Sequence, residues 1–302
     1  MTDFLSRIAS APISWGICEV PGWGARLPTE RVLTEMAGLG MPATELGAPG
    51  FLPDDPDQLR EQLGEFGMSL IGGFTPLVLH DPARRDEALG EARRVAELFQ
   101  KTGATTFVSA VVMDAEWSTP RALESAEHRH VLMMLAAVDE ICGEFGLQQV
   151  LHPHVQTVVE TAEDVDRVMD GCDVRWCLDT GHLAIGGKDP VEFARDAGPR
   201  VGHVHLKDVD MSQVPALLRR ERSIMESVQS GLFTPLGQGH VQIAEIIDTL
   251  ESSGYEGWYV VEQDTAIAGP IPADGEGPVT SVSESLAYLR EVVAPLLARR
   301  PR

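Results

Sequence analysis

Runs of apolar residues long enough for a β-strand alternate along this chain with stretches whose apolar positions recur at i, i+3 and i+4. The strand-length runs fall at 8–17, 43–46, 69–75, 105–112, 148–154, 174–179, 201–207 and 258–262. Between them, Val131, Met134, Leu135, Val138, Ile141 and Cys142 form one helical stripe, and Ile243, Ile246, Ile247 and Leu250 form another. Thr161, followed three residues later by Asp164, predicts an N-cap that opens the helix after the fifth strand. Eight strand–helix repeats without a break in composition predict an α/β protein: a single (β/α)8 TIM barrel spanning residues 1–302.

Two connections exceed ordinary loop length. Residues 211–239 follow the seventh strand and carry a short helical piece around 214–228. They return through Phe233-Thr234-Pro235-Leu236 and a Gly237-Gln238-Gly239 stretch that reads as flexible. Residues 264–279 follow the eighth strand and are rich in Gly and Pro. Both belong on the face where the strands' carboxyl ends open, and long loops there usually act as active-site lids. The segment 211–239 is expected to be such a lid; an outer decoration or a subunit contact is the plainer alternative.

Most polar residues within these apolar runs cluster at the carboxyl ends. The fifth run ends Leu151-His152-Pro153-His154 and the sixth Cys177-Leu178-Asp179-Thr180-Gly181-His182. The seventh reads Gly202-His203-Val204-His205-Leu206-Lys207-Asp208, and the eighth ends Val260-Val261-Glu262-Gln263-Asp264. A lone histidine at a strand end is more often a hydrogen-bonded structural residue than a ligand. Four neighbouring strand ends carrying such groups reverse that balance, because they would converge on one pocket. Carboxylates facing inward repel one another and lose hydration unless a cation neutralises them. Strand alternation puts His203 and His205 on one face, and likewise His152 and His154, so it does not choose within either pair. Glu45, ending the second run, is a weaker pocket candidate, with a salt bridge at the barrel mouth as its plainer reading. An ion pair between Lys207 and Asp208 closing that mouth is the plainer reading of those two. Carboxylates and imidazoles without a thiolate suit Mn²⁺, Co²⁺, Mg²⁺, Fe²⁺ or Zn²⁺, and room for substrate oxygens favours Mn²⁺.

Composition narrows the partners. The 302 residues include 46 acidic against 24 basic ones, a net charge of −22, which repels phosphate backbones and anionic lipid. No apolar run approaches the ~20 residues of a membrane helix, and the start lacks the layout of a signal peptide. The expectation is a cytoplasmic protein that acts on a small molecule, with no nucleic-acid or membrane partner; a homo-oligomer is left open. Cys18, Cys142, Cys172 and Cys177 have no zinc-site spacing and read as reduced structural thiols.

Three segments carry a resemblance: Leu178-Asp-Thr-Gly-His182, His203-Val-His-Leu-Lys-Asp-Val-Asp210 and Gly254-Tyr-Glu-Gly-Trp-Tyr-Val-Val-Glu-Gln-Asp264. With Ala11-Pro-Ile-Ser-Trp-Gly16, His152-Pro-His-Val-Gln-Thr157 and Phe233-Thr-Pro-Leu-Gly-Gln-Gly239, they resemble the xylose-isomerase-like sugar isomerase/epimerase TIM-barrel superfamily. Within it they are most similar to the inosose (2-keto-myo-inositol) dehydratases. The resemblance implies a divalent metal held by Asp179, His205 and Glu262, with His152 where the wider superfamily has a fifth-strand Glu. It also implies a polyhydroxylated ketone substrate dehydrated through a metal-stabilised enolate. His154 and His182 would then be the acid and base, Lys207 would orient or polarise a substrate oxygen, and Glu262 would double as proton acceptor. The branch typically reads His-Pro-His-x-Gly-Thr, whereas this chain has Gln156 for the Gly, a departure that bears on substrate fit.

Three other readings compete. A ketose or inosose isomerase or epimerase shares the enolate chemistry, but generally returns the proton from a second carboxylate, which the fifth-strand His weakens. A phosphodiesterase resembling endonuclease IV needs His ligands on earlier strands. Here the third ends Gly73-Phe74-Thr75 and the fourth Val111-Val112-Met113-Asp114. A non-catalytic sugar-binding barrel would dispense with its metal.

Overall fold

The computed structural model describes residues 4–299. Eight parallel strands close a barrel: β1 (Ile8–Ser10), β2 (Ala43–Glu45), β3 (Ser69–Leu77), β4 (Thr106–Val111), β5 (Gln148–Leu151), β6 (Arg175–Asp179), β7 (Val201–Leu206) and β8 (Tyr259–Val261). Each pairs with its sequence neighbour, and β8 closes on β1 in the register Ile8 to Tyr259 through Ser10 to Val261. Strands of this kind are buried on both faces, which is why they read as apolar runs. Small and branched side chains (Ala9, Ala43, Ile71 and Val260 in one cluster, Val108, Val150 and Cys177 in another) fill the barrel interior. The larger core lies between strands and helices, where Trp176, Phe193 and Tyr259 are fully buried.

The two helical stripes face inward on helices Ser125–Glu144 and Ile243–Ser252. Thr161 and Asp164 form a reciprocal capping box at the start of helix Ala162–Gly171. β1 and β5 stop well before the ends of their apolar runs, and β2, β4, β7 and β8 each stop one residue early. β1 gives way to a 3-10 turn, Pro12–Trp15, because Pro12 has no N–H to continue the ladder. β5 ends at Leu151, before His152-Pro153-His154, and Pro153 again marks the break. β7 ends at Leu206, one residue before Lys207. His152 N–H makes the last ladder bond, to Ser109 O at 2.8 Å, whereas His154, beyond Pro153, stands on a loop that strand alternation does not govern.

The segment 211–239 contains two short helices, Val214–Leu218 and Ile224–Gln229, in place of one helical piece. Its return strand Phe233–Thr234 pairs antiparallel with Asp208–Val209. Val214, Leu217, Ile224, Val228 and Phe233 pack into a second apolar cluster with Cys18, Trp23 and Val155, from loops at the same barrel end, and with Ile185, which ends the short helix after β6. Gly237 and Gly239 are held, contrary to their flexible reading: their N–H groups donate to Asp208 Oδ2 at 2.9 and 3.0 Å. A Cβ on Gly239 would collide with the Asp208 carboxylate, so only glycine lets the chain come this close. Asp208 thus anchors the root of the insertion and does not pair with Lys207. In the eighth-strand loop, Thr265 O accepts from Trp23 Nε1 at 2.7 Å and Ile267 bridges Ala25, tying it to the first-strand loop. All four cysteines are free, and no described helix is long and apolar enough to cross a membrane.

Candidate active site

At the carboxyl end of the barrel lies a cavity of about 210 Å³, walled by side chains from most of the strand-end loops. Its floor carries His152, Lys207, Glu262 and Asp264; Phe74 and Trp117 form an aromatic side wall, and Ile224 reaches in from the insertion. Glu45, His152, Asp179, His182, His203, His205, Lys207, Glu262 and Asp264 are all buried, a concentration of polar groups that needs a physical reason.

The Asp179-Thr180-Gly181-His182 sequence supplies part of it. Asp179 ends β6 and caps the short helix Thr180–Ile185, with Oδ1 accepting from the N–H groups of Gly181 and His182 at 2.8 and 2.7 Å. That leaves Oδ2 turned toward His152, Lys207 and His205. Thr180 Oγ1 donates to Lys207 O and accepts from Lys207 N, locking the turn to the end of β7. A Cβ on Gly181 would press on Lys207 Cβ and Cγ at 2.9 Å, so the glycine lets the lysine stem lie against this turn.

Asp179 Oδ2, His205 Nδ1 and Glu262 Oε2 meet in this space. His205 Nδ1 lies 3.0 Å from Glu262 Oε2 and 3.7 Å from Asp179 Oδ2. Asp179, His205 and Glu262 offer donor atoms all within 4.8 Å of one another. Donors about 2.1 Å from one ion and at right angles to each other stand ~3.0 Å apart, so the set suits a divalent cation. His205 Nδ1 is buried and makes no well-directed hydrogen bond despite its nearness to Glu262, as a lone pair aimed at a cation would be. Its other nitrogen, Nε2, donates to Glu45 Oε1 at 2.9 Å, and His203 Nε2 donates to the same oxygen at 2.8 Å. Burial alone would raise the Glu45 carboxyl; His205 and His203 overcome it and hold it far below the usual range. A carboxylate can only accept, so the protons sit on Nε2 and the Nδ1 of a neutral His205 is free to ligate. Burial opposes charging His205, yet Cys177, Glu262 and Glu45 raise it well above the ordinary imidazole value. The surroundings call for positive charge at this point, whether a proton or a metal ion. His152 joins the set from one side: its Nε2 is 3.2 Å from Asp179 Oδ2, and it groups with Asp179 and His182 but not with Glu262.

Beside this centre, the rings of His154 and His182 lie with centroids 3.8 Å apart. Burial, followed by His152 and Lys207, pushes His154 down to about 3. Burial, then His154 and Lys207, holds His182 well below the ordinary value. Both imidazoles are uncharged at neutral pH. Lys207 Nζ sits 2.6 Å from Asp264 Oδ1, 3.0 Å from Glu262 Oε2, 3.6 Å from Asp179 Oδ2 and 3.3 Å from His182 Nε2. Burial opposes its charge, but Asp264, Glu262 and Asp179 keep it a firm ammonium. Burial alone would raise the Glu262 carboxyl, but His205 and then Lys207 overcome it and hold it down to about 2. Phe233, from the insertion, covers Lys207 at 5.0 Å and meets the His182 ring edge-on at 5.9 Å.

Every residue singled out from sequence, His152, His154, Asp179, His182, His205, Lys207 and Glu262, stands in this one region. Two further groups went unread. Burial, reinforced by Glu262 against Lys207, lifts Asp264 to about 6. Glu19, half-buried at the cavity wall, is raised to about 7 by burial and then by Asp264 and Glu262, against one backbone hydrogen bond. Asp264 lay in a quoted motif two residues after Glu262 and was legible; Glu19, beyond the end of β1, carried no sequence signal. Glu45 proves to be the partner of two histidines and not a mouth salt bridge.

The family model described as xylose isomerase-like TIM barrel matches residues 33–292. A Geobacillus kaustophilus (strain HTA426) protein named inosose dehydratase is 34% identical over 310 residues, covering 98% of this chain and 97% of its own. The rhizopine catabolism protein MocC of Rhizobium meliloti is 34% identical over 283 residues, covering 88% and 84%. Among solved structures, an L-ribulose 3-epimerase aligns with a TM-score of 0.69 at 17% identity, over 97% of this chain and 96% of that one. The probable 3-DHS dehydratase AsbF of Bacillus anthracis aligns with a TM-score of 0.68 at 13% identity, over 95% and 99%. At those identities the two structures speak to the fold alone.

Proposed function

The chain belongs to the xylose isomerase-like TIM barrel family, and from that premise we propose that it is a hydro-lyase dehydrating an inosose, 2-keto-myo-inositol or a closely related keto-polyol. One observation carries the reading: a donor set fit for a divalent ion and a pair of uncharged imidazoles lie side by side at the carboxyl end of the barrel, where His152, His154 and Glu262 line the cavity. The chain around them is similar, over 98% of its length, to a protein named inosose dehydratase.

Asp179, His205 and Glu262 would hold the metal, with His152 beside Asp179 as the fourth ligand and Mn²⁺ the ion best suited to oxygen-rich, six-coordinate binding. Such an ion supplies Lewis-acid polarisation of a ketone oxygen and stabilises the enolate formed when the α-proton leaves. His154 or His182 takes that proton from carbon. The burial that keeps these rings neutral makes the resulting imidazolium a strong acid, ready to give the proton up. It passes to the β-hydroxyl as the C–O bond breaks, so hydroxide leaves as water. The product enol tautomerises to a dione, and no net proton is gained or lost. Lys207, fixed as an ammonium, orients a substrate oxygen. Glu262 combines ligation with accepting a substrate hydroxyl proton. Phe233 and the rest of 211–239 roof the site and exclude stray water.

The test is anaerobic incubation of Mn²⁺-loaded protein with 2-keto-myo-inositol, followed by NMR. Loss of water to a dione supports the reading, whereas an isomeric inosose would assign the protein to epimerisation.

A further inference from the structure

Among the described non-glycine residues, three have a left-handed backbone, and two of them, Trp117 (φ 58°) and Gln156 (φ 65°), line this one cavity. For side-chain-bearing residues that conformation is strained, and it persists only where the surroundings enforce it. Around Gln156 they do. Thr157 N–H closes a four-residue turn onto His154 O at 3.1 Å, placing Gln156 at the third position, where positive φ favours glycine. Thr157 Oγ1 donates to the same carbonyl at 2.8 Å, His154 N–H donates to Val159 O at 3.0 Å, and Val158 N–H to Val111 O at 2.7 Å. The turn therefore imposes its geometry whatever residue stands at 156, and glycine would meet it without strain. A half-buried glutamine stands there instead, and its carboxamide has no hydrogen-bond partner among the described residues. Across the loop, Trp117 stacks on Phe74 with centroids 6.1 Å apart and meets His154 edge-on at 5.8 Å, so an aromatic wall borders that imidazole in the cavity that Gln156 also lines.

We propose that Gln156 is a specificity-determining residue whose carboxamide hydrogen-bonds a ring hydroxyl of a cyclic polyol lying against Trp117. This rests on the polyol-ketone reading above. An amide both donates and accepts, as a hydroxyl does, so the pair is matched, and a ring lacking that hydroxyl leaves the amide desolvated and unpaired. Two substitutions separate this role from a turn role. Gln156→Gly relieves the strain and removes the amide; Gln156→Met keeps the strain and the side-chain length and removes only the amide. Binding of the unreactive probe myo-inositol is measured by calorimetry, turnover of 2-keto-myo-inositol by kinetics, and stability by melting temperature. Both variants should bind myo-inositol about tenfold more weakly and show KM raised by a similar factor with kcat little changed, the usual worth of one hydrogen bond. The glycine variant alone should melt higher, so stability and affinity move in opposite directions. A Met variant that binds like wild type, a Gly variant gaining stability with unchanged KM, or wild-type protein that fails to bind myo-inositol overturns the assignment. If the binding changes appear but no dione forms from the ketone, dehydration falls and the role of Gln156 stands. If the dione forms and binding is unchanged, the reverse holds.

Discussion

His205 Nε2 donates to Glu45 Oε1 across 2.9 Å, joining residues 160 positions apart on β7 and β2. The bond fixes which nitrogen of the imidazole is protonated and so which one faces Asp179 and Glu262. A carboxylate that orients a ligating histidine in this way governs metal affinity without touching the metal. Replacing Glu45 by Gln should therefore weaken metal binding by about 10- to 100-fold while the barrel stays folded. Competition against a chelator measures it, and an unchanged affinity would remove Glu45 from the site's function.

Asp179 caps a helix and, on the proposed reading, also ligates the metal, and one substitution separates the two roles. Asn caps a helix about as well as Asp, so Asp179→Asn should spare the helix Thr180–Ile185 while removing the charged donor. Asp179→Asn and Glu262→Gln should each lose bound metal and turnover with little change in melting temperature. Elemental analysis that finds a full equivalent of metal in both variants would refute the ligand set.

On the proposed mechanism, His154 and His182 transfer protons and do not ligate the metal. His154→Gln or His182→Gln should retain the metal and lower kcat by roughly 10²–10⁴. Loss of metal with His154 and not with His152 would exchange the roles of the two loop histidines.

The pKa of His154 falls from 6.5 to about 3 on folding. The unfolded chain thus binds its proton first as the pH drops, so the stability His154 contributes is complete above pH 6.5 and is lost as pH falls from 6.5 toward 3. His182 is shifted in the same direction. Melting temperatures of metal-free protein should fall over this window, and His154→Gln should flatten the fall. A variant with the wild-type slope would mean that His154 is not held neutral by folding.

The insertion 211–239 is fastened over the site by Arg220, whose Nη2 contacts both Glu160 carboxylate oxygens at 2.8 and 3.2 Å, and it covers Lys207 and His182 with Phe233. If it acts as a lid, Phe233→Ala should cut turnover or raise side products with metal content unchanged. Wild-type kinetics combined with an altered oligomeric mass would assign the segment to assembly.

By itself the sequence determined the barrel, because strands buried on both faces must be apolar throughout and each needs a helix to cover its outer side. It also determined the chemical types at the strand ends, since a carboxylate or imidazole is tolerated inside an apolar run only where the run opens onto a pocket. It did not determine which histidine ring meets which neighbour. Pro153 ends the β5 ladder just after the His152 N–H, so strand alternation has no hold on His154, and a loop held by Val111, Val159 and Thr157 places it. The pairing of His205 with Glu45 depended on closing the barrel, which brings β2 opposite β7. Glu19 became a pocket group only through the fold, which sets it at the cavity wall, where burial and the field of Asp264 and Glu262 raise its carboxyl. The strain at Gln156 was visible only in the backbone, because a sequence names the residue while the turn imposed by its neighbours sets its φ.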